Sequence, residues 1–266
     1  MSPINTAFSG SIPEKYDTYL GPFLFEPYAL ELLESVKKLP GKTILEIACG
    51  TGRVTYHLAK IPGVQLTATD LNPDMITVAK KKVSGSNVEW LTADAQNLPF
   101  QDESFDVVIC QFGLMFVPDK LKAISEVFRV LKKGGHYLLS TWDKIENNAP
   151  FNTALEIVND FFKGDPPTFY QIPYSMHDSK AIVGLLADAG FHNITADLVK
   201  KEGISETAQT ATIGFIEGNP ILVEINNRDP KIIGTIEATL SAKLSERFGD
   251  HPLKGELSAY IFTAVK

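Results

Sequence analysis

The sequence is poor in several features that would each point to a function. It has two cysteines, Cys49 and Cys110, too few for a disulfide framework and not spaced as zinc ligands. Both lie inside apolar runs, which reads as buried thiols in a reducing compartment. Its five histidines show no ligand spacing, so no metal is expected. No apolar run approaches the roughly 20 residues that a membrane helix needs. Residues 1–10 carry no basic stretch followed by an apolar one, so no signal peptide is read and the expected location is cytoplasmic. Lys and Arg number 25 against 32 Asp and Glu, a formal charge of -7. The only basic run, Lys80-Lys81-Lys82, is most simply a solvated helix end, so nucleic acid is not an expected partner. Repeats and low-complexity tracts are also missing.

What remains is a globular composition, 44% hydrophobic and 21% charged over 266 residues. That length suits one domain with an elaboration. Residues 1–25 are rich in aromatics and turn formers and read as an irregular arm, followed by a helix from Glu26 to Lys38. The next hundred residues alternate. Strands are expected at 43–49, 65–69, 88–92, 105–110 and 136–141, with helices between them. Asn72-Pro73-Asp74 is a helix start in three parts: a cap, a proline at the first turn and an acid near the positive dipole end. Continuous apolar strands separated by helices indicate a parallel sheet covered on both faces. Ligands of such sheets bind at the carboxyl ends of the strands, which places Gly50, Asp70, Asp94 and Gln111 at the site. Beyond Trp142 the pattern loosens. A helix is expected at 151–162, a Pro-rich loop after it, and a helix at 178–190. A sixth strand should cover 193–204, two helical stretches 205–255 and a last strand 259–265.

The segment Glu46-Ile47-Ala48-Cys49-Gly50-Thr51-Gly52 lies on a strand–loop–helix junction. Glycines there admit positive φ and close backbone approach by a ligand. One glycine would mark only a tight turn, whereas two, with an acid four residues before the first, mark a ligand loop. A dinucleotide fingerprint needs a third glycine where Thr55 stands, which argues against NAD. Asp70, about 20 residues on, sits where a carboxylate takes the ribose hydroxyls of an adenosine-containing ligand. The plainer reading, a helix cap, is already filled by Asn72. Asp94, followed by Ala95, is placed to read an adenine edge, or else to close the turn to Asn97-Leu98-Pro99. His57 and His177 read more simply as a helix residue and a loop residue than as bases. Asp165-Pro166-Pro167 reads as a loop.

These segments together resemble the class I S-adenosylmethionine (SAM)-dependent methyltransferases, ubiquinone/menaquinone-biosynthesis-like group. The carriers are LEIACGTGR at 45–53, TATDLNPDMITVAK at 67–80, the run from Val88 to Asp119, and EVFRVLKKGGHYLLSTW at 126–142. The resemblance implies an α/β Rossmann-like, doubly wound seven-stranded sheet, its last strand antiparallel, with a helical lid insertion. It implies an N-terminal flap at 1–40 and a SAM-binding domain at 41–266 with helical insertions at about 143–176 and 205–255. It implies SAM as cofactor and S-adenosylhomocysteine as product. Gly50 and Gly52 would lie against the methionine part, with Arg53 near its carboxylate, and Glu46, Ala48, Cys49 and Leu71 would be further cofactor-binding residues. Asp70 would take the ribose. Met75 would lie near adenine, Asp94 and Ala95 at its edge, and Gln111 and Phe112 at the reacting end. Tyr16 would close over SAM.

The expected reaction is in-line methyl transfer to a small organic acceptor, apolar or aromatic, held by the N-terminal arm, 112–116, Trp142 and 205–255. SAM is already activated, so alignment and water exclusion carry most of the task and no catalytic residue is assigned. Two other readings stay open: a SAM-binding partner subunit without acceptor chemistry, and an NAD-dependent oxidoreductase. The acceptor atom and the oligomeric state are not specified by these residues. Replacing Asp70 by Ala is expected to weaken SAM binding and leave stability nearly unchanged.

Overall fold

The computed structural model describes residues 8–85 and 87–266. In chain order, α1 (Ile12–Lys15), a π-helical stretch (Tyr16–Phe25) and α2 (Glu26–Lys37) precede β1 (Thr43–Glu46), α3 (Arg53–Leu58), β2 (Gln65–Asp70) and α4 (Pro73–Lys82). Next come β3 (Val88–Thr92), β4 (Phe105–Gln111), α5 (Lys120–Val130), β5 (Leu131–Trp142), α6 (Ala149–Phe161) and α7 (Ser179–Asp188). The chain ends with β6 (His192–Ser205), α8 (Ala208–Glu217), α9 (Ile221–Arg228), α10 (Ile233–Phe248) and β7 (Leu253–Val265). The strands form one sheet in the order β3-β2-β1-β4-β5-β7-β6. β3, β2, β1, β4 and β5 run parallel, and β7 is antiparallel to β5, as the resemblance implies. Among the described residues no helix is long and apolar enough to cross a membrane.

The chain forms two compact units. One holds Tyr28–Trp142, Met176–Val199 and Ala259–Lys266. Its centre is β1 and β4, where Ile44, Leu45, Val107, Val108 and Ile109 are buried, as expected of strands covered on both faces. The starts of these strands are pinned by Asp106. Its carboxylate accepts the amides of Lys42 and Thr43, both at 3.0 Å, the Thr43 hydroxyl at 2.6 Å and Lys132 Nζ at 2.8 Å. Burial pushes this carboxyl up, but the donors outweigh it and hold it well below the usual carboxylate range. α5 begins where Asp119 accepts the Lys122 amide, and it buries Ala123, Ile124, Val127 and Val130 along one face.

The other unit holds the residues up to Pro27, Asp143–Ser175 and Lys200–Ser258. Here the expected irregular arm is helical. Gly21-Pro22 reads as a breaker, yet the π-helical turn accommodates Pro22, and the Glu26 amide reaches back five residues to the Gly21 carbonyl. Leu20 and Phe23 are buried on this stretch. Gly214 of α8 lets it come close, since a Cβ there would lie 2.7 Å from Leu20 Cδ2. Segment 205–255 holds three helices where two were expected. The added break is at Asp229-Pro230, where Asp229 caps the next turn by accepting the Lys231 amide. β7 starts at Leu253, earlier than read. The loop at Asp165-Pro166-Pro167 is anchored by Arg228, and buried Glu224 accepts the Thr168 and Phe169 amides at 2.8 and 2.9 Å.

Candidate functional site

The carboxyl ends of β3, β2, β1 and β4 are neighbours in the parallel part of the sheet. They bring together Asp94 and Ala95, Asp70 and Leu71, Glu46 to Arg53, and Gln111 and Phe112. β1 stops at Glu46 and the chain turns through Ala48 (φ +50), Gly50 (φ +54) and Gly52 (φ +74) before α3. Three left-handed residues in five compress the junction into a loop of exposed backbone. The Ile47 amide bonds the Ile109 carbonyl and the Cys49 amide bonds the Thr69 carbonyl, so both neighbouring strands fix the loop. Its two glycines differ. A Cβ on Gly50 would meet nothing within 4 Å, which leaves bare backbone facing open space. A Cβ on Gly52 would lie 2.9 Å from Ala79 Cβ, so this glycine is required by the packing of α4.

Asp70 ends β2 and is half-buried. Its Oδ2 accepts the Gly50 amide and its Oδ1 the Asn72 amide, both at 2.8 Å. Burial pushes its carboxyl up, and these amide bonds pull it down less than burial raises it. Asp70 thus braces the glycine loop in the ligand-free protein, which speaks against the expectation that its removal leaves stability nearly unchanged. Asn72 caps α4 as read, accepting the Asp74 amide at 2.9 Å. Leu71 is 62% exposed, whereas Met75 is buried on α4. Asp94 closes its turn: Oδ1 accepts the Gln96 amide at 2.8 Å, and its carbonyl accepts the Asn97 amide.

Glu46 is 2% exposed and accepts the Thr55 hydroxyl at 2.5 Å through Oε2. Burial pushes its carboxyl up to about 8. The Thr55 hydroxyl and Lys82 pull the other way, and the Asp70 charge adds to the rise. In the sequence, Thr55 stands only as a missing glycine. Its contact nine residues back across the loop had no signal in the sequence. Cys49 and Cys110 are buried, free thiols. Burial pushes Cys110 up to about 12 and Cys49 up as well, so both stay neutral. Arg53 opens α3, half-buried.

At the end of β4, Phe112 takes φ +50, a strained value for a large side chain. Its amide donates to the Ser140 carbonyl at 3.1 Å. Its ring lies parallel to Trp142, with centroids 4.0 Å apart, and Tyr28 meets both edge-on at 5.4 Å. Phe112 and Trp142 are 6% and 3% exposed. Tyr28 donates its hydroxyl to the Val199 carbonyl at 3.2 Å. Tyr16 belongs to the other unit, where it stacks on Phe25 at 4.9 Å and meets Phe8 edge-on. His177 is exposed, and His57 lies on α3 beside Tyr56.

A parallel sheet with an antiparallel strand inserted, and a two-glycine loop after its central strand, define the α/β class that binds an adenosine-type cofactor at the strand ends. Comparison with known proteins narrows this. A methyltransferase-domain family model matches residues 45–139. A demethylmenaquinone methyltransferase of Staphylococcus epidermidis is 31% identical over 212 residues, 72% of this chain and 86% of that protein. The ubiquinone/menaquinone biosynthesis C-methyltransferase UbiE of Saccharophagus degradans is 35% identical over 185 residues, 60% of this chain and 72% of that protein. In fold alone, the chain matches the phosphoethanolamine N-methyltransferase 2 of Haemonchus contortus, solved with phosphomonomethylethanolamine and S-adenosylhomocysteine. The TM-score is 0.62 at 17% identity, over 99% of this chain and 59% of that one. The chain belongs to the class I SAM-dependent methyltransferases, in the ubiquinone/menaquinone-biosynthesis-like group. It is an enzyme, and SAM is its cofactor.

Proposed function

We propose that the protein methylates a small aromatic acceptor of the quinone type, at carbon, with SAM bound across the ends of β3, β2, β1 and β4. The observation that carries the acceptor class is the similarity to a demethylmenaquinone methyltransferase over 86% of that protein's length. The residues present fit SAM. Gly50 offers open backbone, Asp70 stands at the neighbouring strand end, and Leu71 exposes an apolar side chain beside it. Gly50, Gly52 and Arg53 would hold the methionine part, with Glu46, Ala48 and Cys49 in the same strand–loop segment. Asp70 takes the ribose. Leu71 and Met75 would lie on the adenine side, and Asp94 and Ala95 would read its edge. Gln111 and Phe112 border the reacting end.

When bound, SAM supplies a methyl carbon already activated by its sulfonium. The protein's share is to orient the nucleophile and exclude water, worth up to about 7–11 kcal/mol when alignment is good. The buried Phe112–Trp142 stack and Tyr28 give this part of the unit a rigid apolar wall. The test is transfer of labelled methyl from SAM to a panel holding a demethylated naphthoquinol, simple phenols and primary amines, read by mass spectrometry. Carbon methylation of the quinol supports the proposal. Exclusive N-methylation overturns the acceptor class, and SAM binding without any transfer favours the partner-subunit reading.

A further inference from the structure

The turn that follows β3 is held to α5 at two places. At its far end Glu126 accepts the Leu98 amide at 2.8 Å, and Arg129 donates to the Leu98 and Phe100 carbonyls at 3.0 and 2.7 Å. At its near end the connection runs through one half-buried side chain, Gln96. Its Oε1 accepts the Asp119 amide at 3.0 Å. Its Nε2 donates to both oxygens of Asp94, at 3.1 Å to Oδ1 and 3.2 Å to Oδ2. Asp119 is the cap of α5, where its own Oδ1 accepts the Lys122 amide at 2.9 Å. Between Phe112 and that cap lies a short 3-10 turn, Leu114–Phe116, and Lys120 Nζ donates to the Val117 carbonyl after it at 2.8 Å. Gln96 therefore joins the acid after β3 to the far end of the segment that starts at Phe112.

A side-chain amide has one accepting end and one donating end. With Oε1 against an N–H that the start of α5 fixes, Nε2 has to face Asp94. Turning the amide over would set Nε2 against the Asp119 N–H and Oε1 against a carboxylate. The orientation of Gln96 is thus dictated from both sides, and it sets Asp94 in turn. Each carboxylate oxygen has two lone pairs. Oδ1 uses both, on the Gln96 backbone amide at 2.8 Å and on Nε2, whereas Oδ2 uses one, on Nε2. Among the described residues these bonds leave one acceptor position, on Oδ2, and Gln96 fixes where it points. We propose that Gln96 is a positioning residue for purine recognition: it presents Asp94 Oδ2 to a 6-amino group, and so makes the site select an aminopurine cofactor over one lacking that amine. The inference rests on the proposed placement of adenine at Asp94, and Gln96 acts through that acid. A hydrogen bond weakens steeply as it loses alignment. Without Gln96 the Asp94 carboxylate turns about its own side-chain bond, and the aim of Oδ2 is lost.

The test is calorimetric titration of the full chain with S-adenosylhomocysteine and with its analogue bearing hydrogen in place of the 6-amino group. The ratio of the two dissociation constants isolates the amine. Wild type should favour the amine by roughly 10- to 150-fold, the range of a hydrogen bond to a charged group. Asp94→Ala should bring the ratio near one. Gln96→Met is close to Gln in length and bonds neither partner. It should cut the ratio by roughly fivefold or more, the effect of weakening one bond by about 1 kcal/mol. The loss should fall on S-adenosylhomocysteine, with the analogue's affinity nearly unchanged. In the Asp94→Ala background the same substitution should leave the ratio unmoved. A Gln96 that merely braces the turn would weaken both ligands by one factor, in either background. An unchanged ratio in Gln96→Met overturns the proposal. A wild-type ratio near one removes the placement of adenine at Asp94 and this inference with it, while methylation of the quinol would still stand as its own result. If Gln96→Met does not fold, Gln96→Ser decides on the same ratio.

Discussion

The Gly50 amide donates to Asp70 Oδ2 at 2.8 Å, so the acid at the end of β2 braces the loop that follows β1. The same carboxylate accepts the Asn72 amide through its other oxygen. Asp70→Ala therefore loses two charge-assisted bonds in the ligand-free protein. Hydrogen bonds to a charged group contribute about 1.5–3 kcal/mol, and burial of the freed amides adds to the loss. Ligand-free stability should fall by about 2 kcal/mol in denaturant titration. SAM affinity should fall by roughly 10- to 150-fold if the carboxylate also takes the ribose. Unchanged SAM affinity in a folded, destabilised variant would leave Asp70 as a brace alone.

The two loop glycines separate packing from binding. Gly52→Ala meets Ala79 Cβ at 2.9 Å and forces φ +74 on a side chain. The left-handed conformation costs about 1–2 kcal/mol, and overpacking about 1–3 more. Gly50→Ala has the same backbone cost but nothing within 4 Å. It should lose only about 1–2 kcal/mol of stability while its methyl group intrudes where a ligand approaches. Thermal melts paired with SAM titration check this. The expected pattern is Gly52→Ala losing more stability and Gly50→Ala losing more affinity per unit of stability lost.

These contrasts show what the sequence made legible. Strand identity followed from continuous apolar runs such as Phe105–Cys110, and the α4 start from Asn72-Pro73-Asp74, because each is a local signal. The strand order and the antiparallel last strand came from the family resemblance. The N-terminal helix is not legible in the sequence because Gly21-Pro22 is a breaker in an α-helix but fits a π turn. The break at Asp229-Pro230 was missed because the flanking segments share helical composition. Thr55 was seen only for what it is not. Its bond to Glu46 depends on how the loop folds back, and no spacing rule for helices or strands pairs residues nine apart. The tight Phe112–Trp142 stack was likewise invisible, since 30 residues separate the two and only the β4–β5 pairing brings them together.

Asp106 ties the stability of the sheet unit to acid pH. Its carboxyl lies well below the usual range, so its contribution is present above the unfolded value of about 3.9 and is lost as pH falls below it. Wild type should lose stability steeply below about pH 4. Asp106→Ala should start about 1.5–3 kcal/mol lower at pH 7, because Lys132 and the Lys42 and Thr43 amides lose their acceptor. Its stability should then fall less between pH 4 and pH 2. Parallel acid titrations followed by circular dichroism check both. Parallel slopes for the two proteins would mean other carboxylates govern the transition.

In the helical unit, Asn148 imitates a strand partner. Its Nδ2 donates to the Ser258 carbonyl at 3.1 Å, and its Oδ1 accepts the Ser258 amide at 3.0 Å. The same Nδ2 reaches the Lys144 carbonyl at 3.1 Å. Beside it, buried Asp143 accepts the Ser258 hydroxyl at 2.9 Å and Asn147 Nδ2 at 2.8 Å. Asn148 is wholly buried, so each bond is made without competition from water. Asn148→Ala deletes both ends of the pairing and should cost about 1–3 kcal/mol. Asn148→Asp keeps the shape and the Oδ1 acceptor, but sets a carboxylate oxygen against two carbonyls and near the Asp143 carboxylate. It should cost more than Ala at pH 7, about 3–5 kcal/mol, as expected of an unpaired buried charge. The sign of its pH dependence follows. Its acid is raised in the folded state, so protonation relieves the repulsion, and the variant should regain stability relative to wild type as pH falls from 7 to 5. Urea titrations of the three proteins at both pH values decide it, and an Asp variant as stable as the Ala variant at pH 7 would show that the Asn148 amide is not fixed as described.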